Sequence, residues 1–147
     1  MDLEKFTRLY KAKNCPVNTA LCKKVYYTDV SSSTLVWSEE QFLVELYYIN
    51  PNVIIVPHAH PFESVTLFCG GSMLGMRDGA LSSNWLTNED SGTIGPVLPK
   101  NVRHWFETKE EGAVFYVISK WDTISEKNSA TVKYIGNPLG PIHENNL

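Results

Sequence analysis

From residue 17 onward, apolar positions alternate with polar ones or gather in short β-branched and aromatic runs, and Gly, Pro and Asn punctuate them closely. Runs at 25–27, 34–37 and 41–49 have this character, which predicts strands. In the third run, Phe42, Val44, Leu46 and Tyr48 share one face and Leu43, Glu45 and Tyr47 the other. The first set is the more apolar, so it is expected to face inward, Tyr48 included. Glu45 and Tyr47 are then exposed or paired at a dimer face. Asn50-Pro51-Asn52 reads as a turn. Strands follow at 53–60, 64–69 and 72–77, ended by Pro61, by Gly70-Gly71 and by Asp78-Gly79, a strong hairpin signal. Runs at 80–86, 93–98, 102–107 and 113–121 complete the set, with a further strand expected at 131–135 and a loosely held tail after it. Only the N-terminus has a helical period: Leu3, Phe6 and Leu9, with Tyr10 beside them, predict a short helix over 2–12.

Many short strands and one helix imply an all-β sandwich or barrel. At 147 residues the chain is expected to form a single domain over 1–147, with its core at about 40–122, an N-terminal extension at 1–39 and a C-terminal tail at 123–147. The formal charge is -3, and Lys23-Lys24 is the only adjacent basic pair, so no nucleic-acid footprint is visible. No apolar run approaches the roughly 20 residues that span a bilayer. The N-terminus lacks a basic flank and an apolar segment, and Cys15, Cys22 and Cys69 form an odd, widely spaced set. Ordinary thiols and a cytoplasmic location are therefore expected.

Three histidines carry the candidate chemistry. His58 and His60 stand two apart on Val53-Ile54-Ile55-Val56-Pro57-His58-Ala59-His60, and His104 follows on another run 44 residues later. Residues i and i+2 of a strand point to one side, so one strand can supply two imidazoles and a neighbour the third. Such a set, with at most one carboxylate, suits a divalent transition metal and leaves coordination positions open. His143, in the tail, reads as an ordinary surface residue. No Gly-x-Ser-x-Gly elbow occurs, and Gly70-Gly71-Ser72-Met73-Leu74-Gly75 lacks the Lys-Ser/Thr end of a phosphate loop.

Two stretches resemble the paired motifs of the cupin family. The first is Pro57-His58-Ala59-His60-Pro61-Phe62-Glu63-Ser64, running on to Gly70-Gly71. The second is Gly95-Pro96-Val97-Leu98-Pro99-Lys100-Asn101-Val102-Arg103-His104. The resemblance covers roughly residues 40–121. It implies a jelly-roll β-barrel, or double-stranded β-helix, of the RmlC-like kind, preceded here by the short helix. Asn101 stands where the second motif usually has Gly, a mild change because Asn tolerates the left-handed conformation. The first motif departs further: only Pro61 and Phe62 separate His60 from Glu63, and counting from His58 puts the usual acidic ligand position on Ser64. Glu63 shares a face with Val65, Leu67 and Cys69, which favours it for the interior; the count favours Ser64. A slip of one residue flips the strand, so the choice is binary.

The resemblance implies a metal held by His58, His60, His104 and Glu63, or by the histidines alone as in thiol dioxygenases. Iron(II) is favoured, with Mn, Ni or Zn as other occupants. Tyr48 and Glu63 are the candidate catalytic groups, and Tyr48, Ser64 and Phe106 the candidate pocket residues. Arg77 is expected in solvent, and Arg103 alternates away from His104. The leading expectation is a dioxygenase-type enzyme acting on a small molecule. A non-catalytic sugar- or organic-acid-binding module is the alternative. A sugar-nucleotide epimerase or isomerase comes third, because the chain has only Arg8, Arg77 and Arg103 for a diphosphate. A small-molecule ligand and a homodimer are the expected partners, without nucleic acid or membrane.

Overall fold

The structure is a computed structural model, and it describes residues 1–22, 24–28, 30–79, 84–136 and 145–146. Helix α1 (Leu3–Ala12) opens the chain, capped by the Asp2 carboxylate, which accepts from the Lys5 amide at 2.8 Å. Strands β1 (Lys24–Thr28), β2 (Ser31–Glu39), β3 (Phe42–Ile49), β4 (His58–Ala59), β5 (Glu63–Arg77) and β6 (His104–Lys120) follow. Helix α2 (Ile124–Gly136) and a two-residue strand β7 (Asn145–Asn146) come after them. The sheet is antiparallel, in the order β1-β2-β3-β6-β4-β7, with β5 also on β6. Segment 84–98 lies along the other side of β5 through the bridges Met73–Leu86, Leu67–Ile94 and Ser64–Leu98.

Residues 64–69 and 72–77 form one strand rather than two, as do 102–107 and 113–121. Gly70-Gly71 bends β5 without ending it. Register shifts fall between Phe68 and Gly70 and again between Gly71 and Met73. Gly71 has φ +93°, and a Cβ there would lie 2.2 Å from the Gly112 carbonyl oxygen; Gly112, on β6, has φ +68°. Two facing glycines thus let adjacent strands turn the same corner, a bend a side chain would block.

The two faces of the sheet are buried by different partners. Val44, Val65, Leu67 and Ile118 lie on the outer face, beneath Leu3, Phe6 and Tyr10 of α1. Phe6 stacks on Phe42 at 4.0 Å, and Tyr10 meets Tyr116 edge-on at 5.9 Å. The inner face reads across the register as Ser33–Tyr47–Phe115–Phe68, then Leu35–Glu45–Val117–Thr66, then Ser38–Leu43–Ser119–Ser64. The more apolar face of β3 therefore packs under the helix, and the inward assignment of Tyr48 is overturned. Tyr48, near the end of β3, is 42% exposed, whereas Glu45 is fully buried on the inner face.

The strand expected at 131–135 is the second half of α2. Thr123 Oγ1 accepts from the Glu126 amide at 3.0 Å at its start, and Ala130 packs on Leu35, Leu43, Phe62 and Trp121. Lys127, 5% exposed, donates from Nζ to Ser38 Oγ at 2.8 Å. No helix among the described residues is long and apolar enough to cross a membrane.

Candidate metal centre and its cavity

Residues 53–59 run antiparallel to β6: Thr108 N donates to Val53 O at 2.9 Å and Ile55 N to Phe106 O at 2.8 Å. This register sets His58 opposite His104. His60 follows beyond β4, where the Asn101 amide donates to its carbonyl at 2.8 Å. Asn101 has φ +60°, the left-handed conformation a Gly usually supplies, so this turn ties the second motif to the first.

The three imidazoles meet. Ring centroids are 4.4 Å apart for His58 and His104, 4.7 Å for His60 and His104, and 4.8 Å for His58 and His60. One nitrogen from each lies within 4.8 Å of the others, and the Nε2 atoms of His60 and His104 are 3.1 Å apart. Two ligands at right angles on one ion, each about 2.1 Å from it, stand about 3.0 Å apart. Nδ1 of His58 lies 2.7 Å from the Val56 carbonyl and Nδ1 of His104 lies 3.0 Å from the Val102 carbonyl. A carbonyl only accepts, so each Nδ1 carries the proton and each Nε2 presents its lone pair. This donor set fits a divalent transition ion. His60 stacks on Phe62 at 5.0 Å, and Phe62 leans on Trp121 at 4.8 Å. His104 meets Phe106 edge-on at 6.0 Å. Apolar packing thereby holds the imidazole planes.

The histidines line a cavity of about 410 Å³. Phe62, Met73, Leu86, Ile94, Leu98, Phe106 and Val117 give it apolar walls, and Tyr47, Ser64, Thr66, Arg77, Asn84 and Thr93 add polar groups. Ser64 and Phe106 are among the lining residues.

Glu63 is not among the groups gathered with the three histidines. It lies opposite Lys120 on the face of β5 shared with Val65 and Leu67, which α1 covers, and does not line the cavity. Tyr48 does not line it either; Tyr47 does. The helix reverses both assignments for one reason: it buries an apolar face that alternation alone awards to the interior. Arg77, expected in solvent, lines the cavity, while Arg103 pairs with Asp78 outside it. The sequence reading missed Tyr47 and Arg77, although both share strand parity with inner-face residues. His143 lies outside the described residues. Cys15, Cys22 and Cys69 are free, and burial pushes the Cys15 and Cys69 thiols up, away from reactive thiolates.

No family model and no curated protein matches the sequence. Solved structures match the fold. KdgF from Halomonas sp. superposes with TM-score 0.58 at 11% identity, covering 71% of this chain and 93% of that one. An RmlC-like cupin from Shewanella frigidimarina gives 0.58 at 13% identity, covering 71% and 88%. The DMSP lyase DddQ from Ruegeria pomeroyi gives 0.59 at 14% identity, covering 70% and 58%. The chain therefore has the fold of the cupins, an RmlC-like jelly roll led by a short helix.

Proposed function

We propose that this chain is a metal-dependent enzyme acting on a small molecule, with dioxygenase-type chemistry at iron(II) as its reaction. The observation that supports it is the convergence of His58, His60 and His104 at a mostly apolar cavity of about 410 Å³. A divalent ion bound there supplies a Lewis acid with open positions for substrate or oxygen. The backbone carbonyls of Val56 and Val102 orient two of the imidazoles. Phe62 and Phe106 exclude water beside them, which strengthens every polar interaction inside. Tyr47, which lines the cavity with Ser64, Thr66 and Thr93, is the residue proposed to hold or pass a proton on a bound molecule. Homodimeric assembly belongs to the same reading and is tested by sedimentation of the purified chain. A sugar-nucleotide epimerase is disfavoured, because the described lining holds one arginine and no lysine for a diphosphate.

Elemental analysis of protein purified without chelators is expected to find about one transition-metal ion per chain. After anaerobic loading with iron(II), oxygen uptake is expected with at least one member of a panel of small organic acids, thiols and phenols. Loaded protein that consumes no oxygen with any of them overturns the dioxygenase reading. Ligand binding that survives both chelation and the triple change H58A/H60A/H104A favours a non-catalytic binding module instead.

A further inference from the structure

We infer that the molecule this cavity takes is a carboxylate with an apolar body, held through its carboxylate by Arg77. The inference deepens the proposed function: it rests on that reading for the ion and on independent geometry for the arginine.

Arg77 closes β5 directly opposite His104 in the register, so its side chain enters the cavity beside the imidazoles. Its Nη1 donates to the Val97 carbonyl at 3.3 Å, which braces the guanidinium against segment 84–98. The neighbouring carboxylate, Asp78, is engaged elsewhere. Arg103 grips it with two bonds, Nε to Oδ2 and Nη2 to Oδ1, both at 2.9 Å. Among the described residues no carboxylate pairs with Arg77.

The charges of the lining favour an anionic ligand. The described lining contains no Asp, Glu or Lys. Neutral imidazoles bring no negative charge to a divalent ion, and a guanidinium stays protonated throughout the physiological range. The buried Glu45 lies outside the described lining and accepts from Ser33 Oγ at 3.4 Å, so no acid of that lining balances Arg77. A bound carboxylate does so, and its two oxygens match the guanidinium fork. One arginine without lysine or a helix N-terminus fits this singly charged group better than a phosphate. Met73, Leu86, Ile94, Leu98, Phe106 and Val117 receive the rest of the molecule. A cavity of this size accommodates roughly ten to fifteen non-hydrogen atoms.

The test compares 3-phenylpropionate, hexanoate and indole-3-acetate with their uncharged amides, by calorimetry on the zinc-loaded chain. At least one acid is expected to bind about ten-fold or more tightly than its amide. R77Q is expected to abolish that preference, and R77K to restore part of it. Metal content and melting temperature of both variants should match the parent, which separates lost recognition from lost folding. Equal binding of acids and amides, a preference that survives in R77Q, or no acid binding at millimolar concentration overturns the inference. Failure to take up zinc overturns the metal-site reading instead, and the acid-to-amide comparison then judges Arg77 by itself.

Discussion

At the residue scale, consecutive tyrosines on β3 show how a single position decides what meets the cavity. Tyr47 lines the cavity and stacks on Phe115 at 5.6 Å, while Tyr48 is 42% exposed on the other face. Y47F is expected to lower kcat/KM for any turned-over substrate by about ten-fold or more, the usual range for a group that handles a proton. Y48F should leave it unchanged and shift stability by less than about 0.5 kcal/mol. Steady-state kinetics and urea denaturation of both variants check this; equal effects would remove Tyr47 from the mechanism. The histidines were legible in sequence because their spacing is a strand spacing. Which tyrosine and which of Glu63 and Ser64 enter the barrel was not legible, because alternation assigns two faces without saying what covers each.

At the scale of elements, the two helices bury opposite sides of the barrel wall. α1 announces itself by Leu3, Phe6 and Tyr10 on one stripe, all buried. α2 gives no such signal: its buried positions include Lys127 and Ala130, and Thr131 and Val132 favour strands by type. Tertiary contact overrides that propensity. Burial lowers the Lys127 ammonium below the ordinary lysine value of 10.5. The folded state then holds the proton less tightly than the unfolded chain. The charge costs stability while it is protonated in both states, and the cost fades as pH rises towards 10.5. K127M is therefore expected to be more stable than the parent at pH 7, by up to about 1 kcal/mol. That advantage should shrink as pH approaches 10.5. Urea titrations across this range check it, and a difference independent of pH goes against a desolvated lysine.

For the whole molecule, an ion held by the three histidines would act as a clamp. His58 lies on β4, which closes against β6, His60 follows just beyond it, and His104 begins β6 itself. An ion joining them binds the folded chain only, so by linkage it stabilises by about 4 kcal/mol at a thousand-fold excess over its Kd. Chelation is expected to lower the melting temperature by roughly 8–16 °C for a chain of this size. H60A and H104A should melt lower than the parent and lose sensitivity to chelator. Scanning calorimetry with and without EDTA reads this out, and a parent that ignores EDTA contradicts a tightly held ion.

Strand periodicity, turn residues and helical stripes are local signals, so the strand-rich architecture, the N-terminal helix and the three imidazoles with their motifs could be read from residue order. The left-handed turn at Asn101 was likewise readable from its residue type. Long-range packing settled which face of β3 and β5 is interior, that 124–136 is a helix, and that Arg77 enters the cavity while Arg103 pairs with Asp78. Each of those outcomes depends on what packs against a surface. A helix laid over an apolar face satisfies hydrophobic burial as fully as a barrel interior does, and periodicity cannot tell the two apart.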